Sequence, residues 1–190
     1  KSATERQSMQ NNYSDQWLKA CNNNQQLHES CLNCLFALKN VVPESLFRYI
    51  VYLDTGDKDA NTFAFPNGVL CRDGTNNDTK YVRIPNSTMT KAFLRNKKCR
   101  QRQYYSHIVT LLNNIETKNA IVEQDWEDFA LCHRAYYATR AGRIDEAYSC
   151  FMTFSRLLNW CRVMATDDCY PDALLLDLDL LRCSLRRRTH

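Results

Sequence analysis

The chain has 190 residues, of which 44% are hydrophobic and 11% aromatic, enough for a packed core in one large domain or two small ones. A formal net charge of +4 is too small to indicate a nucleic-acid partner, and none is expected. No run approaches the roughly 18 apolar residues of a bilayer helix, since even the leucine-rich segment 173–181 is interrupted by Asp177 and Asp179. These totals favour a globular protein without a transmembrane segment.

Ten cysteines, an even number, are distributed over almost the whole chain. Disulfides persist in secreted and extracellular proteins, whereas the cytosol keeps cysteines reduced. We therefore expect five structural disulfides, although the sequence does not choose among the many pairings. The expected disulfide cysteines are Cys21, Cys31, Cys34, Cys71, Cys99, Cys132, Cys150, Cys161, Cys169 and Cys183.

Three N-glycosylation sequons indicate the same compartment. They begin at Asn12, Asn77 and Asn86, and each has a residue other than proline in the middle. The first residue is lysine instead of methionine, as in a mature protein whose signal peptide has been removed. We expect a secreted protein or an ectodomain at the cell surface, and a removed C-terminal anchor stays an open alternative.

Apolar spacing predicts two helices in the first third of the chain. The spacing i, i+4, i+7, i+8 and i+11 occurs at Leu27, Cys31, Cys34, Leu35 and Leu38 and predicts a helix over about 25–40. A short amphipathic turn around Trp17 and Cys21 is expected before it. Pro43 suits the first position of a second helix, which Gly56 ends.

Between about 55 and 87 the helical spacing fails, and chain-breaking residues are concentrated there. Short strands are predicted at Thr62–Phe65 and Val69–Arg72 around the turn at Pro66–Gly68, with a third at Tyr81–Ile84. The segment forms an irregular insertion that carries two of the three sequons.

Helical spacing returns from Met89 to Ile115, and a further helix is predicted around 126–136, ending at Gly142. Apolar residues over 147–161 predict the next helix, so the two should form an antiparallel hairpin. Pro171 begins a last helix, whose leucines cover more than one face, as expected of a central core helix.

The predicted fold class is mainly α: a disulfide-stabilised helical bundle with one irregular insertion containing short β-strands. We expect a single extracellular domain over 1–190, in which any subdivision would fall near 118–122.

Two short motifs have partial matches to metal or redox sites. The pair Cys31 and Cys34 has the C-x-x-C spacing of redox and zinc sites, but it lies within a predicted helix and no second pair accompanies it. Asp57 and Asp59 match ligand positions of an EF-hand loop, but Gly68 stands where that loop needs a glutamate. No metal site and no cofactor are therefore expected.

The densest basic cluster lies just before the middle of the chain. On a helix, three of its members would share one face and present cations to a heparin-like glycan or an acidic protein. The alternative is a face that only improves solubility. The expected anionic-partner residues are Arg95, Lys97, Lys98, Arg100 and Arg102.

No catalytic motif is recognisable, because His28, His107, His133 and His190 occur without G-x-S-x-G or H-E-x-x-H. The expected places are the surface for His28 and His107 and helix packing for His133. The chain is therefore not expected to be an enzyme.

The favoured function is extracellular protein–protein recognition by a secreted or cell-surface glycoprotein, as a ligand, a receptor module or an antagonist. Many cross-links without a catalytic group suit a preorganised binding surface. The alternative is a secreted carrier that holds a small apolar ligand in a helical cavity. Its expected lining is Phe151, Phe154, Trp160 and the leucines of 174–181.

Overall fold

The computed structural model describes residues 3–38, 42–67, 69–72, 80–83, 101–117, 124–153, 156–159, 161–162 and 172–186. Helices dominate this part of the chain, accompanied by a small β-sheet, so the mainly α prediction is confirmed. The chain divides into two compact units, Lys1–Arg100 and Gln101–His190, called unit 1 and unit 2. The single-domain organisation stays a prediction. None of the described helices is both long enough and apolar enough to cross a membrane.

Unit 1 begins with three helices: α1 (Ala3–Ala20), α2 (Gln25–Ala37) and α3 (Glu44–Thr55). The first is much longer than the short turn predicted around Trp17. The helix predicted at 25–40 is confirmed as α2. Pro43, expected at the first helical position, lies one residue before it, since α3 begins at Glu44. Gly56 ends α3 with a φ of 68°, a left-handed conformation that glycine adopts without steric cost.

The corner between α1 and α2 is built from asparagines. Asn22 and Asn23 have φ angles of 54° and 60°, which asparagine tolerates better than most residues. Asn24 caps α2, because its side chain accepts a hydrogen bond from the Leu27 amide at 3.1 Å. The Asn24 amide group also donates to Asp57 at 2.7 Å, which connects the corner to the chain that follows α3.

The core of unit 1 centres on Trp17, which is fully buried. Its ring centroid lies 6.4 Å from that of Phe47, 6.2 Å from that of Phe63 and 5.9 Å from that of Phe65. These distances lie in the range of favourable aromatic pairs. The indole ring therefore joins α1 to α3 and to the segment that follows it.

The strand predicted at Thr62–Phe65 is wrong, and Arg48 explains why. Its guanidinium lies 4.7 Å and 4.6 Å from the ring centroids of Phe63 and Phe65. It also donates hydrogen bonds to the carbonyl oxygens of Ala60 and Phe63. A side chain from α3 thus engages both rings and part of this backbone, so no neighbouring strand pairs here.

The sheet of unit 1 contains β1 (Val42–Pro43), β2 (Leu70–Arg72) and β3 (Lys80–Val82). β3 lies in the centre, antiparallel to both neighbours, and Val82 is opposite Val42 on one side and Leu70 on the other. The predicted strands near 69–72 and 81–84 are therefore confirmed within the described residues. The third strand comes from the residues just before α3.

Unit 2 contains α4 (Gln101–Glu116), α5 (Gln124–Ala141), α6 (Ile144–Ser149) and α7 (Asp172–Arg186). α5 packs against α4, α6 and α7. The predicted break at Gly142 is confirmed, with a φ of 79°. Arg143 then anchors α6 to α4 by donating hydrogen bonds to the Ser106 carbonyl and to the Thr110 hydroxyl.

The continuous helix predicted over 147–161 is wrong. The amides of Phe151 and Met152 bond to carbonyls three residues earlier, the tighter pattern that commonly ends an α-helix. Helical residues resume at 156–159 and 161–162. Within the described residues, shorter helical segments therefore take the place of one continuous helix.

The last helix does not have the central position that its leucines predicted. Leu181 and Asp177 are buried on one side of α7, but Leu176, Leu178 and Leu185 are 63%, 40% and 39% exposed. The leucines lie all around α7, but within the described residues only one face of this helix packs against other parts of the protein. The leucines on the other faces are therefore exposed to solvent.

Replacing Trp17 with alanine should lower the free energy of unfolding by about 3–5 kcal/mol, because the aromatic core of unit 1 would lose its central ring. Chemical denaturation followed by circular dichroism measures this loss. Leu53→Ala is the control, since Leu53 is 55% exposed on α3 and should change stability little. Equal losses for both variants would contradict the core assignment.

Candidate functional site

The structure brings two of the predicted disulfide cysteines together at the corner between α1 and α2. Cys21 follows the last residue of α1, and Cys31 lies in the middle of α2. Both are fully buried, and their sulfur atoms are 3.9 Å apart. Cys34, one turn further along α2, is also fully buried. The C-x-x-C pair is therefore in a closed core position instead of at an accessible helix terminus.

This contact makes the two thiols chemically different. The hydrogen bond with Cys31 lowers the pKa of Cys21, and burial opposes that shift less strongly. The same hydrogen bond raises the pKa of Cys31, and burial adds to the increase. The shared sulfur contact therefore shifts the pKa values of the two thiols in opposite directions.

A second sulfur cluster lies in unit 2, where Cys132 of α5 and Cys150 after α6 are buried around Ala135. Cys150 Sγ contacts the Glu146 carbonyl oxygen at 3.2 Å. Burial raises the pKa of Cys150, although the nearby Arg156 and Arg134 oppose the shift. A thiol that stays protonated behaves as a packing group and not as an activated nucleophile.

The remaining cysteines are more dispersed. Cys161 and Cys183 are exposed, Cys71 lies in β2, and Cys99 and Cys169 lie outside the described residues. The structure contains no sulfur–sulfur bond among the described cysteine side chains, so the five disulfides stay a prediction.

A buried charge cluster beside Cys150 was not predicted from the sequence. Glu116, at the end of α4, accepts a hydrogen bond from Arg134 of α5 and two from Arg156, each at 2.5 Å. All three side chains are only 13–15% exposed. Arg156 also donates to the Leu131 carbonyl at 3.4 Å. One carboxylate thus connects three segments of unit 2.

The electrostatics of this cluster favour the charged form of Arg156. Burial alone would lower the pKa of Arg156, but the hydrogen bond and the negative charge of Glu116 raise it overall. Two arginines on one carboxylate leave a net positive charge inside unit 2. The sequence feature that could have indicated this cluster is the position of each arginine within an apolar pattern. Arg134 lies between Cys132 and Ala135, and Arg156 precedes Leu157.

Of the predicted glycosylation sites, Asn12 lies within the described residues. It is exposed on α1, and its side-chain oxygen accepts a hydrogen bond from Gln16 at 3.2 Å. Ser14 of the same sequon points inward enough for its hydroxyl to lie 3.3 Å from His28 Nε2. Asn77 and Asn86 lie outside the described residues.

The predicted anionic-partner site falls mostly outside the described part of the chain. Arg95, Lys97, Lys98 and Arg100 are not described, whereas the backbone of Arg102 belongs to the first turn of α4. The cluster therefore stays a prediction.

Two of the histidines pack against other residues, and the EF-hand-like segment forms a capped turn. His28, expected at the surface, is buried at 4% exposure, and the ring of His133 packs on Phe129 with centroids 4.5 Å apart. Asp57 uses one carboxylate oxygen to cap the 3₁₀ turn of Lys58–Asn61 through the Asp59 amide. Within the described residues, no group of three His, Cys, Asp or Glu side chains could hold a metal ion.

Replacing Glu116 with glutamine should destabilise unit 2 by about 3–5 kcal/mol, because two buried guanidinium groups lose their counter-charge. The control is Asp179→Asn, which breaks the Arg182–Asp179 pair, whose side chains are 61% and 66% exposed. Exposed pairs contribute about 1 kcal/mol or less. Thermal unfolding of both variants measures the difference, and similar shifts would contradict a structural role for the buried cluster.

The chain matches no protein-family model, no curated protein and no solved structure. Its function is therefore inferred from its own cysteines, sequons and surface residues.

Proposed function

We propose that the chain is a secreted or cell-surface glycoprotein that acts by extracellular protein–protein recognition, as a ligand, a receptor module or an antagonist. It performs no catalysis, and five structural disulfides stabilise it. Each disulfide would contribute about 2–4 kcal/mol, chiefly by restricting the unfolded chain.

The observation that carries this proposal is the exposure of large apolar side chains on unit 2. Leu178, Leu181 and Leu185 follow the i, i+3, i+7 spacing of one helix face. Leu181 is buried, whereas Leu178 and Leu185 are 40% and 39% exposed. Single exposed leucines are common on protein surfaces, but two beside a buried one form the start of an apolar stripe. Such stripes on rigid helices suit a protein partner.

The extracellular compartment is supported by two independent features. The cysteine number is even and five cysteines are buried in the described residues, where reactive or metal-binding thiols are disfavoured. Asn12 is exposed on α1, so a glycan there would extend into solvent without displacing the core.

The non-catalytic part of the proposal is supported by two carboxylates that are engaged by other groups of the protein. Glu116 is occupied by Arg134 and Arg156, and Asp57 by Asn24 and the Asp59 amide. These groups stabilise helices and turns, and their hydrogen-bonding capacity is already committed to the protein.

The carrier alternative is less well supported. Leu176 and Leu178, expected to line its cavity, are 63% and 40% exposed, and Phe151 packs against the Cys132 and Cys150 cluster. Phe154 and Trp160 lie outside the described residues. Extraction of native protein followed by mass spectrometry would support a carrier if it recovered a stoichiometric lipid.

The recognition proposal predicts saturable binding of the tagged protein to intact cells, abolished when the cells are first treated with protease. Leu178→Asn with Leu185→Asn should reduce that binding at least tenfold, because the exposed stripe loses its apolar contacts. Leu53→Asn, at an exposed apolar position of unit 1, is the matched control and should bind like the unmodified protein. Flow cytometry with labelled protein measures all three.

A second experiment tests the basic cluster at residues 95–102. Reversal of Arg95, Lys98 and Arg102 to glutamate should lower the salt concentration at which the protein elutes from heparin. Unchanged elution would show that the cluster is only a solvated face. Absence of saturable, protease-sensitive binding would contradict recognition altogether, whereas binding that depends only on cell-surface glycans would replace a protein partner with a glycan.

A further inference from the structure

The distance between the sulfur atoms at the corner of α1 and α2 favours one pairing of cysteines that the sequence alone did not select. The sulfur atoms of Cys21 and Cys31 are 3.9 Å apart, and a disulfide bond is about 2.05 Å long. The two atoms would have to approach by about 2 Å. Cys21 lies in the turn after α1 and Cys31 in the middle of α2, and rotation about the Cα–Cβ bond of each moves its sulfur atom.

The backbone around Cys21 is fixed by hydrogen bonds in both directions. The Cys21 amide bonds to the Trp17 carbonyl at 3.0 Å, and the Cys21 carbonyl accepts from the Asn24 amide at 2.9 Å. Trp17 is fully buried and Asn24 caps α2, so the position of Cys21 follows from the same interactions that form the core and the corner.

Cys34 is the competing partner for Cys31, since it lies on the same helix and is equally buried. The bond pattern of α2 continues past it, with the Leu38 amide bonding to the Cys34 carbonyl at 3.0 Å. Cys21 also affects the pKa of the Cys31 thiol more strongly than Cys34 does, as expected for the nearer sulfur. The 3.9 Å contact between the Cys21 and Cys31 sulfur atoms therefore favours the cross-helix pairing.

We propose that Cys21 and Cys31 form one disulfide of the native protein, which joins the end of α1 to the middle of α2, and that Cys34 pairs elsewhere. This pairing rests on the extracellular location in the proposed function, because it requires an oxidising compartment. It closes a short loop around the two asparagines with left-handed backbone, and so holds the corner covalently.

The bond would form by thiol–disulfide exchange with a disulfide-carrying oxidoreductase of the secretory compartment. The Cys21 thiolate attacks one sulfur of the donor disulfide, forming a mixed disulfide and releasing one donor thiolate. The Cys31 thiolate then attacks the Cys21 sulfur and releases the second donor thiolate. Cys21 and Cys31 lose two protons and two electrons, and the donor disulfide takes them up as two thiols.

Burial sets the order of events. Both sulfurs are inaccessible in the folded unit, so the exchange has to take place before the corner closes around them. Once formed, the bond is shielded from dissolved reductants, because reduction needs access to a sulfur atom.

Peptide mapping of the secreted full-length protein tests the pairing. Free thiols are alkylated at acidic pH under denaturation, and the protein is cleaved without reductant by trypsin and by a protease specific for glutamate. Cleavage after Lys19, Glu29 and Lys39 separates Cys21 from the peptide that contains Cys31 and Cys34. The expected product joins peptide 20–29 to peptide 30–39, which also carries a third peptide through the disulfide of Cys34. Fragmentation between Cys31 and Cys34 locates the link to peptide 20–29 at Cys31.

Three variants sharpen the result. Cys34→Ser should keep the same cross-linked peptide pair, whereas Cys31→Ser should release Cys21 as an alkylated thiol. The double variant Cys21→Ala with Cys31→Ala should melt about 10 °C lower than the unmodified protein. The mapping of the unmodified protein decides the question even if a variant fails to fold.

The outcomes also separate this inference from the proposed function. A Cys31–Cys34 loop, a link from Cys21 to any other cysteine, or alkylated Cys21 and Cys31 beside other intact disulfides would overturn the pairing alone. Alkylation of all ten cysteines would overturn both the pairing and the extracellular location. The Cys21–Cys31 link without any saturable cell binding would support the pairing and contradict recognition.

Discussion

The corner between α1 and α2 is the constraint on which unit 1 depends. Two left-handed asparagines turn the chain, Asn24 caps the second helix, and Asp57 holds Asn24 from the far end of α3. This turn places Trp17 against the aromatic rings that follow α3. It also places Cys21 beside Cys31. Hydrogen bonding at a few polar residues thereby determines both the apolar core and the sulfur contact.

Unit 2 has a comparable constraint in Glu116, whose carboxylate holds two buried arginines from different segments. Buried charges are costly unless each is paired, so the three side chains fix one another's positions. The chain reaches Arg156 only after α6 has ended in a tight turn, and the short helices leave apolar side chains such as Met152 and Leu158 exposed. The charge cluster and the exposed Met152 and Leu158 therefore both lie where α6 gives way to short helical segments.

The sequence predicted the features that follow from apolar periodicity and from chain-breaking residues. The helix around Leu27–Leu35 and the stops at Gly56 and Gly142 are examples. α1 is longer than predicted because its residues are mostly polar and give little apolar spacing, whereas Trp17 is fully buried on it. The Thr62–Phe65 segment and the Glu116 cluster depend on arginines from distant positions, and spacing within one segment contains no information about such partners.

The central claim is that this chain is an extracellular protein whose cysteines are all paired. The most direct test is the intact mass of the secreted protein after deglycosylation and denaturing alkylation, measured with and without prior reduction. The account predicts no alkyl groups without reductant and ten after reduction, one for each cysteine. Two or more alkyl groups on the unreduced protein would contradict complete pairing, and ten would contradict the oxidising compartment itself.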